Sequence, residues 1–155
     1  MDASILKYAR QADEIWHAGD IGNLAVTDAL QRIKPVRAVY GNIDDHVIQQ
    51  EYPLNTRFFC EGVEVLMTHI GGYPPKYNAR TIEELRANPP TLFICGHSHI
   101  LKVMRDKKLD VLHMNPGAVG HHGFHVMRTL LRFDIEEGRP KNLEVIELGK
   151  RGKID

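Results

Sequence analysis

Long apolar runs are missing from this sequence. None approaches the ~20 residues that a membrane-spanning helix needs, and the opening Met1-Asp2-Ala3-Ser4 has neither the basic nor the apolar stretch of an export signal. The expectation is a chain that is neither anchored nor exported. Cysteine is scarce as well: Cys60 and Cys95 are the only two, each in an apolar strand-like run without C-x-x-C spacing. That excludes a disulfide framework and a thiolate metal site, and it points to buried reduced thiols and a cytoplasmic home. Net charge is absent, since 20 Lys and Arg balance 20 Asp and Glu. No global field therefore draws the chain to a nucleic-acid polymer or a membrane surface. The one basic cluster, Lys150-Arg151-Gly152-Lys153, reads as a solvated tail. Repeats, low-complexity tracts and linkers are also lacking. The 155 residues are read as a single domain over 1–155, able to bury roughly 70% of its unfolded surface without help from a metal or disulfide.

What is present is an alternation of helix and strand punctuated by glycine. Ser4 to Ala12 has helical spacing behind a possible Ser4 cap, and Asp13 to Ala18 reads as a strand ending in Gly19-Asp20. A helix over about 24–33 stops at Pro35. A further strand-like element over 36–40 then ends in Gly41-Asn42-Ile43-Asp44. Residues 57–60 and 63–68 read as a hairpin about Glu61-Gly62, delivering His69 at its end. After the Gly71-Gly72-Tyr73-Pro74-Pro75-Lys76-Tyr77 loop, Thr81-Ile82-Glu83-Glu84 has capping-box spacing for a helix closed by Asn88-Pro89-Pro90. Thr91 to Cys95 is a buried strand broken at Gly96, with His97-Ser98-His99 behind it. Two more hairpins follow, one over 103–114 leading into Asn115-Pro116-Gly117, the other over 127–135 and 143–148. One mixed α/β domain results.

Polar groups of one chemical kind thus stand at four glycine-adjacent strand ends: Asp20, Asn42, His69, and the pair His97 and His99. Carboxylate, amide oxygen and imidazole are the ligand set of borderline-to-hard divalent metals, and strand ends of α/β sheets converge on one crevice. In an extended segment His97 and His99 share a face, so both rings are expected to aim at one point. If two ions sit there, Asp20 is the only carboxylate placed to bridge them. A water between the ions would become hydroxide near neutral pH, poised for in-line attack on a phosphate ester.

Gly19-Asp20, Gly41-Asn42-x-Asp44, His69 after an apolar strand, Gly96-His97-Ser98-His99 and Asn115-Pro116-Gly117 resemble, in order, the blocks of the calcineurin-like metallophosphoesterase superfamily, in particular its small prokaryotic phosphodiesterase branch. The resemblance implies an αββα sandwich of two mixed sheets flanked by helices. It implies that Asp20 bridges two divalent ions, that Asn42, His69 and His97 complete one site, and that His99 touches the other. Asp20, Asn42 and His97 are then the residues that carry catalysis. Manganese leads the candidate ions, with zinc, iron or nickel as alternatives.

Two features depart from the family pattern. No strand ending in Asp-x-His precedes Gly19-Asp20, so the expectation is that the first strand of the fold and two ligands of the ion at His99 are missing and that this second site is weakened. A start codon placed too late and a degenerate protein compete to explain it, and the intact remaining ligand set favours the first. Ile43 stands where many phosphatases of the superfamily carry a leaving-group histidine, which favours diesters or good leaving groups. The remaining polar residues have plainer readings. His17 is expected to be a hydrogen-bonded structural residue. Asp44 either orients a metal-bound group or forms an Asx-turn. His46 and His113 have no placement argument. His121 and His122 either touch substrate phosphate or sit in a polar loop, and Arg128 and Arg132, on one strand face, suit phosphate recognition chemically but read first as the wet side of the strand. Tyr73 and Tyr77 wall a pocket or anchor their loop. The functional expectation is a metal-dependent phosphodiesterase acting on a small phosphate ester, with self-association left open. Its rivals are a non-catalytic scaffold of the same fold and a single-metal binding protein.

Overall fold

The structure, a computed structural model, describes residues 1–152; Lys153 of the basic cluster lies outside the described residues. Among those residues four helices form: α1 (Ala3–Gln11), α2 (Leu24–Gln31), α3 (His46–Glu51) and α4 (Ala79–Ala87). Each begins behind an Asx residue whose side chain accepts a backbone N–H of the first turn. Asp2 takes that of Ser4, Asn23 that of Ala25, Asp45 that of Ile48 and Asn78 that of Arg80. These bonds satisfy donors that the helix itself leaves free. The caps of α1 and α4 are therefore Asp2 and Asn78, not the expected Ser4 and Thr81. Thr81 instead donates its hydroxyl to the Ile70 carbonyl, 3.3 Å away, tying α4 to the loop beyond its neighbouring strand. Helix α3 escapes sequence reading because it is six residues long and buries only Ile48, too few positions for a periodic signal.

The strands are β1 (Ile15–His17), β2 (Val36–Ala38), β3 (Asn55–Cys60), β4 (Val63–Thr68), β5 (Gly72–Tyr73), β6 (Lys76–Tyr77), β7 (Leu92–Ile94), β8 (Leu101–Asp106), β9 (Val111–Pro116), β10 (Met127–Glu136) and β11 (Arg139–Lys150). Five of them make one mixed sheet in the order β3-β4-β7-β9-β8, with β4, β7 and β9 mutually parallel and a hairpin partner antiparallel at each edge. Being central and parallel, β7 is covered on both faces, so Leu92, Phe93 and Ile94 are all buried. The loop at Tyr73 to Tyr77 folds into the small β5-β6 hairpin, and Tyr77 anchors it by donating its hydroxyl to Asp106 at 2.7 Å.

Three apolar clusters stack the layers. Helix α4 packs Leu85 against Phe93, Leu66 and Val111 on one face of the five-stranded sheet. The other face, through Val65, Met67, Ile94 and Met114, meets Trp16 of β1 together with Leu131 and Phe133 of β10. Trp16 sets its ring edge-on to Phe58 and Phe133, at 5.1 and 5.8 Å between centroids. Beyond β1 and β2, Ile21, Ala38 and Ile48 gather Leu24, Val26 and Tyr52 into a third cluster with α2 and α3. This is the αββα layering expected of the fold. Its second β layer comes in two pieces: β1 pairs in parallel with β2, β10 pairs antiparallel with β11, and no ladder joins them among the described residues.

Arg128 departs from expectation. It is buried rather than on the wet side, because a register shift between Arg128 and Thr129 breaks the alternation of β10. Its guanidinium donates to the Val119 carbonyl at 2.8 Å and to the Asp2 carboxylate at 2.6 Å. Arg132 does remain half-exposed, bonded to Gln11 and Glu144. Both cysteines are free thiols; Cys95 is buried and Cys60 partly so, and desolvation pushes the Cys95 thiol up to about 12. Among the described residues no helix is long and apolar enough to cross a membrane.

His113, in the middle of β9, is fully buried beside Phe93 and neither ring nitrogen has a hydrogen-bond partner. Burial, aided by the Lys102 charge, pulls its pKa from the ordinary 6.5 down to about 4. A histidine held neutral in the folded state stabilises that state above its unfolded pKa, because the unfolded chain binds the proton first as pH falls. Stability should therefore drop between pH 6.5 and 4, and His113→Phe should lose less over that interval. Urea denaturation at stepped pH checks this, and identical pH profiles for the two proteins would refute it.

Candidate metal centre

Parallel strands deliver their carboxyl ends to one edge, and here those ends carry the polar residues. The chain leaves β4 at His69, β7 at Gly96-His97-Ser98-His99, β1 at Gly19-Asp20 and β2 at Gly41-Asn42. Backbone bonds knit the loops together: Gly96 donates its N–H to the His69 carbonyl at 3.0 Å. From the end of β9, the Asn115 amide donates to the Gly96 carbonyl at 3.0 Å and to Ser98 Oγ at 3.1 Å, while its oxygen accepts from Gly117 N–H. The histidine loop is thus held from both neighbouring strands.

Asp44 settles the question left open by its sequence position. Its carboxylate is buried and accepts three backbone N–H groups: Gly41 at 2.7 Å, Ile21 at 3.0 Å and Gly22 at 2.8 Å. One group thereby fastens the loop after β1 to the loop after β2, placing Asp20 against Asn42. Contact between these loops is close enough that a Cβ at Gly41 would stand 2.1 Å from Asp20 Oδ1, so only glycine fits. Asp20 itself has φ 56°, a left-handed conformation that costs a non-glycine residue about 1–2 kcal/mol. Its Oδ1 accepts from Ile43 N–H at 3.2 Å.

Four of the five expected residues meet around the Asn42 amide oxygen. His69 Nε2 and His97 Nδ1 each lie 2.9 Å from Asn42 Oδ1, and His69 Nε2 is 3.3 Å from Asp20 Oδ2. His69 is buried, and its Nδ1 donates to the Ala18 carbonyl at 2.7 Å. That bond assigns the ring proton to Nδ1 and leaves a bare lone pair on Nε2. Three electron-rich atoms then face one another: an imidazole lone pair, an amide oxygen and a carboxylate oxygen. Carboxylate oxygen, amide oxygen and neutral imidazole nitrogen are the donor set that fits a divalent metal. Among the described residues no three His, Cys, Asp or Glu side chains suffice by themselves; Asn42 is the member that joins Asp20, His69 and His97.

His99 does not converge with them. The histidine loop is not extended: Ser98 N–H turns back onto the Gly96 carbonyl at 2.8 Å, and His97 and His99 both take positive φ, 67° and 61°. Their rings therefore diverge, His97 toward Asn42 and His99 toward His125, with His99 and His125 Nδ1 atoms 3.2 Å apart. Burial, and next the neighbouring His125, lower the His99 pKa. His125 is a site-side residue that sequence reading missed; its only signal was the histidine-rich run beginning at His121. Within that run His121 contacts the Arg151 carbonyl at 3.0 Å and His122 is exposed. His17 accepts Gly19 N–H on Nδ1 at 3.2 Å, and burial pushes its pKa below the ordinary value, so it supports the loop as a neutral ring.

A model of the calcineurin-like phosphoesterase superfamily domain matches residues 1–138. Among solved structures, the fold is similar to Vps29 from Entamoeba histolytica complexed with Zn2+, at 14% identity and a TM-score of 0.72, covering 95% of this chain and 89% of that one. An archaeal phosphodiesterase matches at 20% identity and a TM-score of 0.69, covering 93% and 88%. A predicted phosphoesterase from Streptococcus pneumoniae matches at 18% and 0.64, covering 93% and 87%. At these identities the likeness is one of fold. No curated protein matches the chain.

Removing the Asp44 carboxylate leaves three backbone donors without their acceptor. Asp44→Ala should destabilise the protein by about 2–4 kcal/mol, with Asp44→Asn intermediate because one acceptor oxygen survives. Chemical denaturation measures this, and a loss under about 0.5 kcal/mol for the alanine variant would show that the loops hold without the clamp.

Proposed function

Because the chain belongs to the calcineurin-like phosphoesterase superfamily, we propose that it is a divalent-metal-dependent phosphoesterase that hydrolyses phosphodiesters at the Asp20, Asn42, His69 and His97 cluster. The observation that carries this reading is His69 Nε2 standing 2.9 Å from Asn42 Oδ1 and 3.3 Å from Asp20 Oδ2, which gathers imidazole, amide and carboxylate donors at one point. Divalent ions bound there would supply Lewis acidity toward phosphoryl oxygens and a nucleophile at neutral pH.

The chain's own residues supply the rest. Asp20 offers two oxygens to two sides of the cluster, its Oδ1 steadied by Ile43 N–H and its Oδ2 facing His69. Asn42 contributes a neutral oxygen and limits the negative charge that an anionic substrate must approach. The Ala18 carbonyl holds His69 in the tautomer that presents Nε2. His97 stands exposed at the rim beside Asn42, where an imidazole can contact a phosphoryl oxygen. Ile43, adjacent to Asn42 and 65% exposed, has no proton to give. A leaving group passing this rim receives no acid from residue 43, which favours diesters with good leaving groups over monoesters. Manganese is the first ion to test, followed by zinc, iron and nickel.

The test is hydrolysis of bis(p-nitrophenyl) phosphate and p-nitrophenyl phosphate with each ion. The diester should be cleaved faster, chelation should abolish turnover, and Asn42→Ala or His69→Ala should lower kcat/KM by about 100-fold or more. Absence of both ion binding and hydrolysis in the wild-type chain would overturn the proposal and favour a non-catalytic scaffold of this fold.

A further inference from the structure

The histidine pair outside the Asn42 cluster repeats the device found at His69. There, a ring nitrogen donates to a backbone carbonyl and the opposite nitrogen presents its lone pair. His125 is 8% exposed, and its Nε2 donates to the Gly120 carbonyl at 2.8 Å. The proton is thereby assigned to Nε2, and the bare Nδ1 faces His99 Nδ1 at 3.2 Å. A backbone-carbonyl leash on the far nitrogen is how proteins fix the tautomer of a metal-ligating histidine. The spacing fits as well. Two imidazole nitrogens bound at about 2.0–2.1 Å to one tetrahedral ion stand roughly 3.3–3.4 Å apart.

Room beside the two nitrogens is kept by a missing side chain. A Cβ at Gly123 would stand 2.3 Å from His99 Nδ1 and 3.1 Å from His125 Nδ1, and Gly123 has φ 126°, a conformation that favours glycine. Resting on the metal-centre reading above, we infer that His125 is a metal ligand: with His99 it grips a divalent cation through the two Nδ1 atoms, at a second position beside the Asn42 cluster. The loop 120–125 thus supplies a ligand from the C-terminal half of the chain to a centre otherwise built from its strand ends. The rival is a plain N–H···N hydrogen bond, in which His99 carries the proton and His125 only positions it.

Cobalt(II) separates the two, because a thiolate bound to Co2+ gives a charge-transfer band that an unbound thiol does not. The wild-type chain should bind two equivalents of Co2+ without that band, which also controls for Cys60 and Cys95. His125→Cys should bind Co2+ with the band present, His122→Cys should lack it, and His125→Ala should lose one equivalent while the His69-dependent equivalent remains. The cysteine variant keeps the experiment decisive where the alanine variant fails to fold. No band in His125→Cys, with both equivalents retained in His125→Ala, would overturn the inference and leave the Asn42 centre intact. A wild-type chain that binds no Co2+ would instead remove both.

Discussion

A buried carboxylate with three backbone partners underlies the geometry of the whole centre. Asp44 has no partner of opposite charge among its bonds; it is held by the N–H groups of Gly41, Ile21 and Gly22. Charge-assisted bonds to backbone donors are strong when buried, and each would leave an unsatisfied donor if broken. The loops after β1 and β2 come from strands of only three residues each, too short to fix their ends by ladder bonds. The carboxylate does that instead, and Asp20 and Asn42 inherit their relation from it.

Around this clamp, backbone carbonyls decide which nitrogen of each histidine is free. Ala18 sets His69 and Gly120 sets His125, so two rings from distant parts of the chain are oriented by backbone carbonyls. Such leashes place ring nitrogens at fixed positions, beside left-handed backbone at Asp20, His97 and His99. Strain of this kind persists where the packed surroundings over-determine it. Here they do: β4, β7 and β9 are the buried parallel centre of the sheet, and the Asn115 amide grips the histidine loop from the side. On the proposed reading, this rigid sheet edge is where a cation would be held.

Most of the fold was legible in the residues. The β3-β4 hairpin turned where Glu61-Gly62 said it would, β7 lay where an unbroken apolar run required burial on both faces, and glycine marked the strand ends that carry the polar cluster. The shortfalls have specific causes. Helix α3 is shorter than two turns and buries one side chain. Thr81 had capping spacing, yet its hydroxyl found a tertiary acceptor in Ile70. Strict alternation puts Arg128 on the solvent face, and the register shift that buries it is visible only in the pairing with β11.

The sequence by itself determined the chemical inventory of the site: carboxylate, amide and imidazole at glycine-bounded strand ends, with an apolar Ile43 beside Asn42. Those properties are local, since residue type and strand periodicity do not depend on distant contacts. Tertiary structure alone decided which atoms of those residues meet. It turned the histidine loop out of the extended form, sent His97 to Asn42 and His99 to His125, and chose the protonated nitrogen of His69 through a carbonyl 51 residues away in the chain. Tautomer and ring direction follow from partners that approach through folding, and no spacing along a chain encodes them.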